Sequence, residues 1–237
     1  MNCRMLIGVG KLPFAEILEN FKLMAQNRNE KHEYYGDSNF VHKDGWGIVV
    51  RRSGRLECYK KEVACWEDPK FSEFCNIDSD VIMLHARKAS PGIPISYAFT
   101  HPFKQNGWYF CHNGTIYDYR IKEKSDAQQL FDRILYNMKS FPRPEEAIRT
   151  TVNSLKDYSA LNFILLRDDI AYVLCMYGNR GKSTPEYYTM KYLQEKDYII
   201  VSSEILQSFK GEWKKMENFT LLEISIPNRA LKIFRMK

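Results

Sequence analysis

The apolar residues of this chain follow two kinds of spacing, and each kind predicts a different element. Short apolar or alternating runs bounded by turn residues predict β-strands. Ser53-Gly54 and Asp168-Asp169 each lie between two such runs and predict tight hairpin turns. The runs occupy residues 5–9, 47–52, 56–63, 81–85, 108–112, 160–166, 170–176, 187–192, 198–202, 219–226 and 231–234.

Helical spacing, with apolar residues three or four positions apart, appears in a few longer segments. Residues 13–30 show it, and Pro13 suits a first helical turn. Residues 125–138 show it behind Ser125, a suitable N-cap, and a further helix is predicted for 145–156. Strands joined by short turns favour antiparallel sheets. The pattern therefore predicts an α+β fold of two antiparallel sheets with helices outside.

Composition adds a broad class to this pattern. The 237 residues are 44% hydrophobic and 27% charged, which is typical of a soluble globular protein, and we expect one domain over 1–237. No run approaches the ~18 apolar residues of a membrane span. The first ten residues do not resemble a signal peptide, so we expect a cytoplasmic protein without a membrane partner. The six cysteines form no C-x-x-C pair, which favours free thiols and predicts no zinc site.

The net charge of +6 raises the question of a nucleic-acid partner. The basic residues are scattered in small groups, with acidic residues between them. A dedicated nucleic-acid binder more often concentrates its charge on one face or helix. We therefore predict a solvated surface and no nucleic-acid partner, although a partner-binding protein that uses this surface stays an alternative.

Several short motifs carry the candidate chemistry, and their order along the chain is distinctive. Taken alone, each has an ordinary explanation: Cys3 as a buried thiol, Arg87 as a salt-bridge residue, Asn113-Gly114 as a turn. Four of the five histidines lie in these motifs, yet none has the spacing of metal ligands, so we predict no metal or cofactor. The series is Cys3, His42-Lys43-Asp44-Gly45-Trp46-Gly47, His85-Ala86-Arg87-Lys88-Ala89-Ser90, Thr100-His101-Pro102-Phe103, His112-Asn113-Gly114-Thr115 and Asp126.

Together the series resembles the class II glutamine amidotransferases, in which an N-terminal cysteine attacks the side-chain amide of glutamine. The resemblance implies the N-terminal-nucleophile hydrolase fold, a four-layer αββα sandwich. It is strongest over residues 3 to about 130 and continues weakly to Ser202-Ser203-Glu204. No synthase domain follows, so any released ammonia would pass to a partner subunit or simply be released.

The resemblance also implies a role for each motif residue. Cys3 would be the nucleophile, with its own α-amine as the base, and Asn113 and Gly114 would stabilise the oxyanion. Arg87 would bind the α-carboxylate of the substrate and Asp126 its α-ammonium group. His101 would shape the pocket, Lys88 and Ser90 would line it, and Asp44-Gly45-Trp46-Gly47 would be scaffold.

A free Cys3 amine requires that Met1 and Asn2 be removed, since both precede Cys3 in the sequence. The leading hypothesis is hydrolysis of the glutamine side-chain amide through a thioester on Cys3. A hydrolase of another γ-glutamyl compound is the closest alternative. A catalytically silent glutamine-binding or regulatory protein is the other, and it applies if Met1 and Asn2 stay in place.

Overall fold

The computed structural model describes residues 3–32, 40–90, 92–119, 123–178 and 184–237, and these residues build two antiparallel sheets. The strands are Arg4–Gly10 (β1), Trp46–Arg52 (β2), Arg55–Lys61 (β3), Val81–Ala86 (β4), Phe103–Gln105 (β5), Trp108–Asn113 (β6), Asn162–Arg167 (β7), Ile170–Cys175 (β8), Lys191–Gln194 (β9), Tyr198–Ser202 (β10), Lys214–Lys215 (β11), Thr220–Ser225 (β12) and Ala230–Arg235 (β13).

The first sheet has the order β11-β9-β10-β1-β4-β2-β3, and the second has the order β13-β12-β8-β7-β6-β5. The first strand of the chain is therefore an interior strand, paired on one side with β10 and on the other with β4. The predicted hairpins are confirmed, because Arg52 pairs with Arg55 and Arg167 with Ile170 around two-residue turns.

Helices cover the outer faces of both sheets. The α-helices are Phe14–Ala25 (α1), Lys70–Glu73 (α2), Asp126–Asn137 (α3), Pro144–Asn153 (α4) and Thr184–Tyr188 (α5), and short 3₁₀ helices span Phe74–Asn76 and Tyr97–Phe99. The apolar faces of α1 and α2 pack on the first sheet, and those of α3 and α4 pack on the second.

A third cluster of buried apolar residues lies between the two sheets. Met5, Ile7 and Val9 of β1 belong to this cluster, whereas Leu6 faces α1, as the two-residue period of a strand requires. The inner faces of the second sheet contribute residues such as Ile164 and Val173. The predicted four-layer αββα arrangement of an α+β fold is therefore confirmed.

Two segments differ most from the sequence prediction. The segment 187–192 is not one strand, because helix α5 runs through Tyr188 and strand β9 begins at Lys191. Tyr187 and Tyr188 are both buried within this helix, and their bulk had suggested a strand. Helix α1 ends at Ala25 rather than near Glu30, since Asn27 takes a positive φ of 58° that ends the helix.

The N-terminus of α3 is fixed by a reciprocal capping box. The Ser125 hydroxyl accepts a hydrogen bond from the Gln128 N–H (3.2 Å), and the Gln128 side-chain oxygen accepts one from the Ser125 N–H (2.8 Å). This arrangement places Asp126, the first helical residue, at a defined position beside the loop that follows β6. In the part of the chain described above, no helix is both long and apolar enough to cross a membrane.

Candidate active site

The antiparallel register gathers the sequence motifs at one end of the first sheet. Arg4 at the start of β1 pairs with Ala86 at the end of β4, and Trp46 at the start of β2 pairs with the same residue. Residues just outside these strand ends therefore become neighbours, although they are far apart in the sequence. They are Cys3, the pair Asp44-Gly45 and Arg87.

Cys3 is buried, and its backbone reaches across to the second sheet. Its N–H donates a hydrogen bond to the side-chain oxygen Oδ1 of Asn113, at 2.7 Å. Its sulfur lies 4.0 Å from the carbonyl oxygen of Lys88. Burial raises the pKa of the Cys3 thiol to about 11, and the nearby charge of Arg87 only partly opposes this effect. The thiol is therefore protonated at neutral pH and needs a base before it can act as a nucleophile.

The hydrogen bond from Cys3 determines the orientation of the Asn113 amide. Because Oδ1 accepts from an N–H, the other amide atom, Nδ2, is the donor. That nitrogen is buried and has no hydrogen-bond partner among the described residues. A buried donor without a partner is costly, so its presence beside the Cys3 thiol indicates a place for an acceptor atom.

Gly114 follows Asn113 in a conformation that other residues avoid. Its φ is +146°, and a Cβ atom at this position would lie 1.9 Å from the carbonyl oxygen of Ala160. The backbone therefore passes so close to Ala160 that only glycine fits.

Arg87 is a buried cation held by the Asp44-Gly45 turn. The backbone N–H of Arg87 donates to the Gly45 carbonyl (2.7 Å), and the Asp44 carboxylate accepts from the Ala89 N–H (2.8 Å). One guanidinium nitrogen donates to the Pro94 carbonyl at 3.0 Å, while Nε has no hydrogen-bond partner within the described part of the chain. Burial lowers the pKa of Arg87, and within the described residues no carboxylate forms an ion pair with it.

Asp126 is buried at the start of α3 and faces the loop after Gly114. One carboxylate oxygen accepts from the Ile116 N–H and the other from the Ala127 N–H, both at 2.9 Å. Asp126 therefore lies beside the loop that follows Asn113, the residue that accepts the hydrogen bond from Cys3.

The remaining predicted pocket residues lie in the loop after β4 and in the segment that leads into β5. Lys88 is half-buried and its ammonium group lies 4.6 Å from the ring centre of Phe40. Ser90 is half-buried and its carbonyl accepts from the Ile93 N–H (3.0 Å) in a turn. His101 is fully buried.

The buried histidines are neutral. The ring of His101 lies 4.3 Å from that of His85 and 4.2 Å from that of Phe103. Burial lowers the pKa of His85 to about 3 and that of His112 to about 4, and it lowers the pKa of His101 well below its usual value. Gly47 permits this packing, since a Cβ there would lie 2.3 Å from the His101 carbonyl oxygen.

Sequence reasoning did not identify a second group of residues around the start of β1. Arg4, fully buried, forms an ion pair with Glu204 (2.8 Å), and its guanidinium carbon lies 4.0 Å from the ring centre of Tyr187. The Tyr187 hydroxyl is 3.5 Å from the Cys3 carbonyl oxygen and 3.2 Å from His42 Nε2. Ser202-Ser203-Glu204 had indicated this region only as a weak family motif.

One group of side chains has the composition of a metal site. Ligand atoms of Glu30, His32 and Glu204 lie within 4.8 Å of one another. However, Arg4 lies 2.8 Å from Glu204, and Lys191 lies 3.4 Å from Glu30. Two cations thus already balance the two carboxylates, so the group has the character of an ion-pair network rather than a cation site.

Comparison with known proteins adds a family to this geometry. Residues 31–166 match the family model of class-II glutamine amidotransferases. Two relatives are named γ-glutamyl-hercynylcysteine sulfoxide hydrolase. The one from Mycobacterium tuberculosis is 22% identical over 202 residues, covering 84% of this chain and 79% of the relative. The one from Mycolicibacterium smegmatis is 22% identical over 207 residues, covering 85% of each chain.

Solved structures share the fold. The glutamine phosphoribosylpyrophosphate amidotransferase from B. subtilis has a TM-score of 0.68 at 16% identity, over 98% of this chain and 49% of that enzyme. This chain therefore spans about half the length of that protein. A class-II domain protein from Silicibacter pomeroyi has a TM-score of 0.61 at 15% identity, over 98% of this chain and 100% of its own. The chain is an enzyme of the amidohydrolase type, and it belongs to the class-II glutamine amidotransferase family.

Proposed function

We propose that this protein hydrolyses a γ-glutamyl amide bond through a thioester on Cys3. The observation that carries the proposal is the 2.7 Å hydrogen bond between the Cys3 N–H and Asn113 Oδ1. It joins the nucleophile and the oxyanion donor, which come from different sheets, and it leaves Asn113 Nδ2 buried and free to donate.

Activation of the thiol requires a base next to it. Burial raises the pKa of Cys3 to about 11, and burial keeps the nearby histidines neutral at low pKa. Once Met1 and Asn2 are removed, the Cys3 α-amine has a pKa near ~8 and can take the thiol proton, directly or through a water. The sulfur then bonds to the amide carbon and the carbonyl electrons move onto oxygen.

Collapse of this tetrahedral intermediate breaks the carbon–nitrogen bond. The proton held by the α-amine passes to the leaving nitrogen, and the glutamyl group stays on Cys3 as a thioester. A water molecule, deprotonated by the same amine, attacks the thioester carbon. The carbon–sulfur bond then breaks, the proton on the amine returns to the Cys3 sulfur, and the γ-carboxylate is released. Asn113 Nδ2 and the Gly114 N–H stabilise the oxyanion in both steps, and one such donor typically contributes roughly 3 kcal/mol.

Recognition of the glutamyl end is assigned to Arg87 and Asp126. Arg87 is a buried cation with an unpartnered Nε and no paired carboxylate among the described residues, which suits an α-carboxylate. Asp126 is buried at the start of α3 and suits the α-ammonium group. His101, Lys88 and Ser90 complete the pocket wall.

Two substrate classes fit this arrangement. Glutamine would give glutamate and ammonia, with any transfer of ammonia depending on a partner subunit. A larger γ-glutamyl compound is supported by the names of the two mycobacterial relatives. The partner subunit, the single-domain organisation and a cytoplasmic location stay predictions.

The test is a comparison of glutamate release from glutamine and from γ-glutamyl amides of larger amines. Intact mass first establishes whether Met1 and Asn2 are absent. We expect turnover only in the processed protein, loss of turnover in Cys3→Ala, and a mass increase of one glutamyl group on Cys3 in a rapid acid quench. Equal turnover in Cys3→Ala would overturn the proposal.

A glutamine-binding protein without turnover is the second candidate. The supporting observation is that Met1 and Asn2 precede Cys3 in the sequence, because an amide nitrogen in place of the α-amine has no useful basicity. In that case the protein should bind glutamine by calorimetry, lose binding in Arg87→Ala, and release no glutamate.

A further inference from the structure

Cys3 lies just before the first strand, and contacts with neighbouring residues must hold it in position. Chain starts are usually poorly ordered unless they are tied down, whereas a nucleophile must be held to within about 0.5 Å of its productive position. In the processed form that the proposed function requires, Cys3 would be the first residue, so lateral contacts must supply the order. The structure shows such contacts at each residue from Cys3 to Met5.

The contacts form a short ladder along the first three described residues. The Cys3 N–H is bound by Asn113, and Met5 exchanges hydrogen bonds with Ser203, whose N–H donates to the Met5 carbonyl at 2.9 Å. The Met5 N–H in turn donates to the Ser203 hydroxyl at 3.0 Å. Between them, Arg4 is held by Glu204, the next residue after Ser203.

Glu204 is a buried carboxylate with two hydrogen bonds on Oε2 and an ion pair on Oε1. Besides Arg4 at 2.8 Å, it accepts from the Asn29 side chain and the Glu30 N–H, both at 2.9 Å, and His32 Nε2 lies 3.3 Å away. Burial alone would raise its pKa, but the charge of Arg4 and the hydrogen bonds from His32 and Asn29 lower it to about 2. Glu204 is therefore ionised over the whole physiological range.

A buried ion pair of this kind is not explained by stability. Removing two charges from water costs several kcal/mol per ion, and apolar replacements of such pairs are often as stable. What the pair does supply is a defined direction for the Arg4 side chain, and hence for the peptide on either side of it. The guanidinium is fixed from two directions, by Glu204 and by the Tyr187 ring at 4.0 Å.

Tyr187 extends the same support to the carbonyl of Cys3. His42 Nδ1 must donate to the Ala25 carbonyl (3.2 Å), because that oxygen can only accept, and burial lowers the pKa of His42 so that the ring is neutral. His42 Nε2 is therefore an acceptor, and the one Tyr187 hydroxyl proton is shared between His42 Nε2 at 3.2 Å and the Cys3 carbonyl oxygen at 3.5 Å.

We propose that Glu204 and Tyr187 are positioning residues for the nucleophile: Glu204 acts through Arg4, and Tyr187 acts on Arg4 and on the Cys3 carbonyl. The proposal rests on the proposed function for its kinetic test, in which Cys3 is the nucleophile. It concerns residues that touch neither the substrate nor the sulfur. Their effect should therefore appear in the chemical step rather than in substrate binding.

The experiment compares Glu204→Gln, Arg4→Met, Arg4→Lys and Tyr187→Phe with a matched control, Arg51→Met. Arg51 also forms ion pairs, with Asp80 and Asp169 at 2.9 Å, but at the opposite end of the sheets. We expect kcat to fall on the order of 10–100-fold in Glu204→Gln, Arg4→Met and Tyr187→Phe while KM changes little. Arg4→Lys should recover part of the loss, and Arg51→Met should change only stability.

A second measurement does not depend on turnover. Alkylation of Cys3 by iodoacetamide, followed by peptide mass analysis, reports how firmly the nucleophile is held, and buried Cys175 reports global opening. We expect the Cys3-to-Cys175 rate ratio to rise at least about fivefold in Glu204→Gln and Tyr187→Phe. An unchanged ratio, or kcat losses equal to that of Arg51→Met, would overturn the positioning role.

Turnover and the alkylation ratio together separate the proposed function from the positioning role. If the parent protein hydrolyses no γ-glutamyl amide but the alkylation ratio rises in the variants, the proposed function fails and the positioning role stands. If the parent is active and the variants match it in both readouts, the positioning role fails alone. Tyr187→Phe removes a single oxygen atom, so it remains informative even if Arg4→Met does not fold.

Discussion

Replacing Gly114 by alanine tests the close backbone approach on which the oxyanion site depends. The added Cβ would lie 1.9 Å from the Ala160 carbonyl oxygen and 2.5 Å from its carbon, so the loop must move by roughly 1 Å to reach an ordinary contact. The φ of +146° is also strained for alanine. Backbone strain of about 1–3 kcal/mol and overpacking of about 1–3 kcal/mol give a predicted destabilisation of roughly 2–6 kcal/mol.

The matched control is Gly54→Ala, in the hairpin between β2 and β3. Gly54 also has a positive φ, +76°, but a Cβ there would meet nothing within 4 Å. We therefore expect only the conformational cost of about 1–2 kcal/mol in Gly54→Ala, with full activity. The difference between the two variants isolates the contact with Ala160.

The assay is urea unfolding of both variants. Turnover is then measured without urea, at a temperature where each variant is folded. Gly114→Ala should also lose activity, because a 1 Å shift of this loop displaces an oxyanion donor, and such misplacement can cost on the order of 100-fold. Equal unfolding free energies for the two variants, or unchanged turnover in Gly114→Ala, would refute the reasoning.

The other predictions concern individual charges and donors of the site. Asn113→Ala removes a buried donor and should lower kcat about 10²–10³-fold, with little effect on KM in steady-state assays. Arg87→Ala should raise KM for glutamine far more than it lowers kcat, as calorimetric binding of glutamine can check. Because burial raises the pKa of Cys3 from 9.0 to about 11, the folded state holds this proton more tightly. Stability should therefore fall as pH rises from 9 towards 11, and less so in Cys3→Ala, by urea titration at each pH. The pKa of Glu204 is lowered from 4.5 to about 2, so its stabilising effect should be complete above pH 4.5 and be lost as pH falls towards 2. In Glu204→Gln, thermal stability should therefore fall less as pH decreases from 4.5 towards 2. An unchanged pH dependence would contradict the role of Glu204 in this acid destabilisation.

The fold was largely predictable because local signals agreed with the tertiary structure. The apolar face of 125–138 and the cap at Ser125 predicted α3 to within a residue. The turn Ser53-Gly54 predicted a hairpin that is present. The segment 187–192 misled because tyrosines suit both a strand and a buried helical turn, and only tertiary packing distinguishes the two environments.

The candidate site was predictable as a set of residues but not as a set of contacts. Motif order indicated Cys3 and Asn113, yet their hydrogen bond joins positions 110 residues apart in different sheets. Arg4 carried no local signal and Glu204 only that of a weak family motif, since charged residues are usually exposed and these two lie far apart in the sequence. Only the pairing of β1 with β10 brings them together.

The sheet topology explains why a nucleophile near the chain start can be held so firmly. An edge strand at the N-terminus would have one free side and would fray, whereas β1 is paired on both sides, with β10 and β4. Since both partners run antiparallel to β1, the start of β1 meets the ends of both. Arg87 follows the end of β4, and Ser203 and Glu204 follow the end of β10. One arrangement of strands thus brings the buried Arg87 to one side of Cys3 and Ser203 and Glu204 to the other.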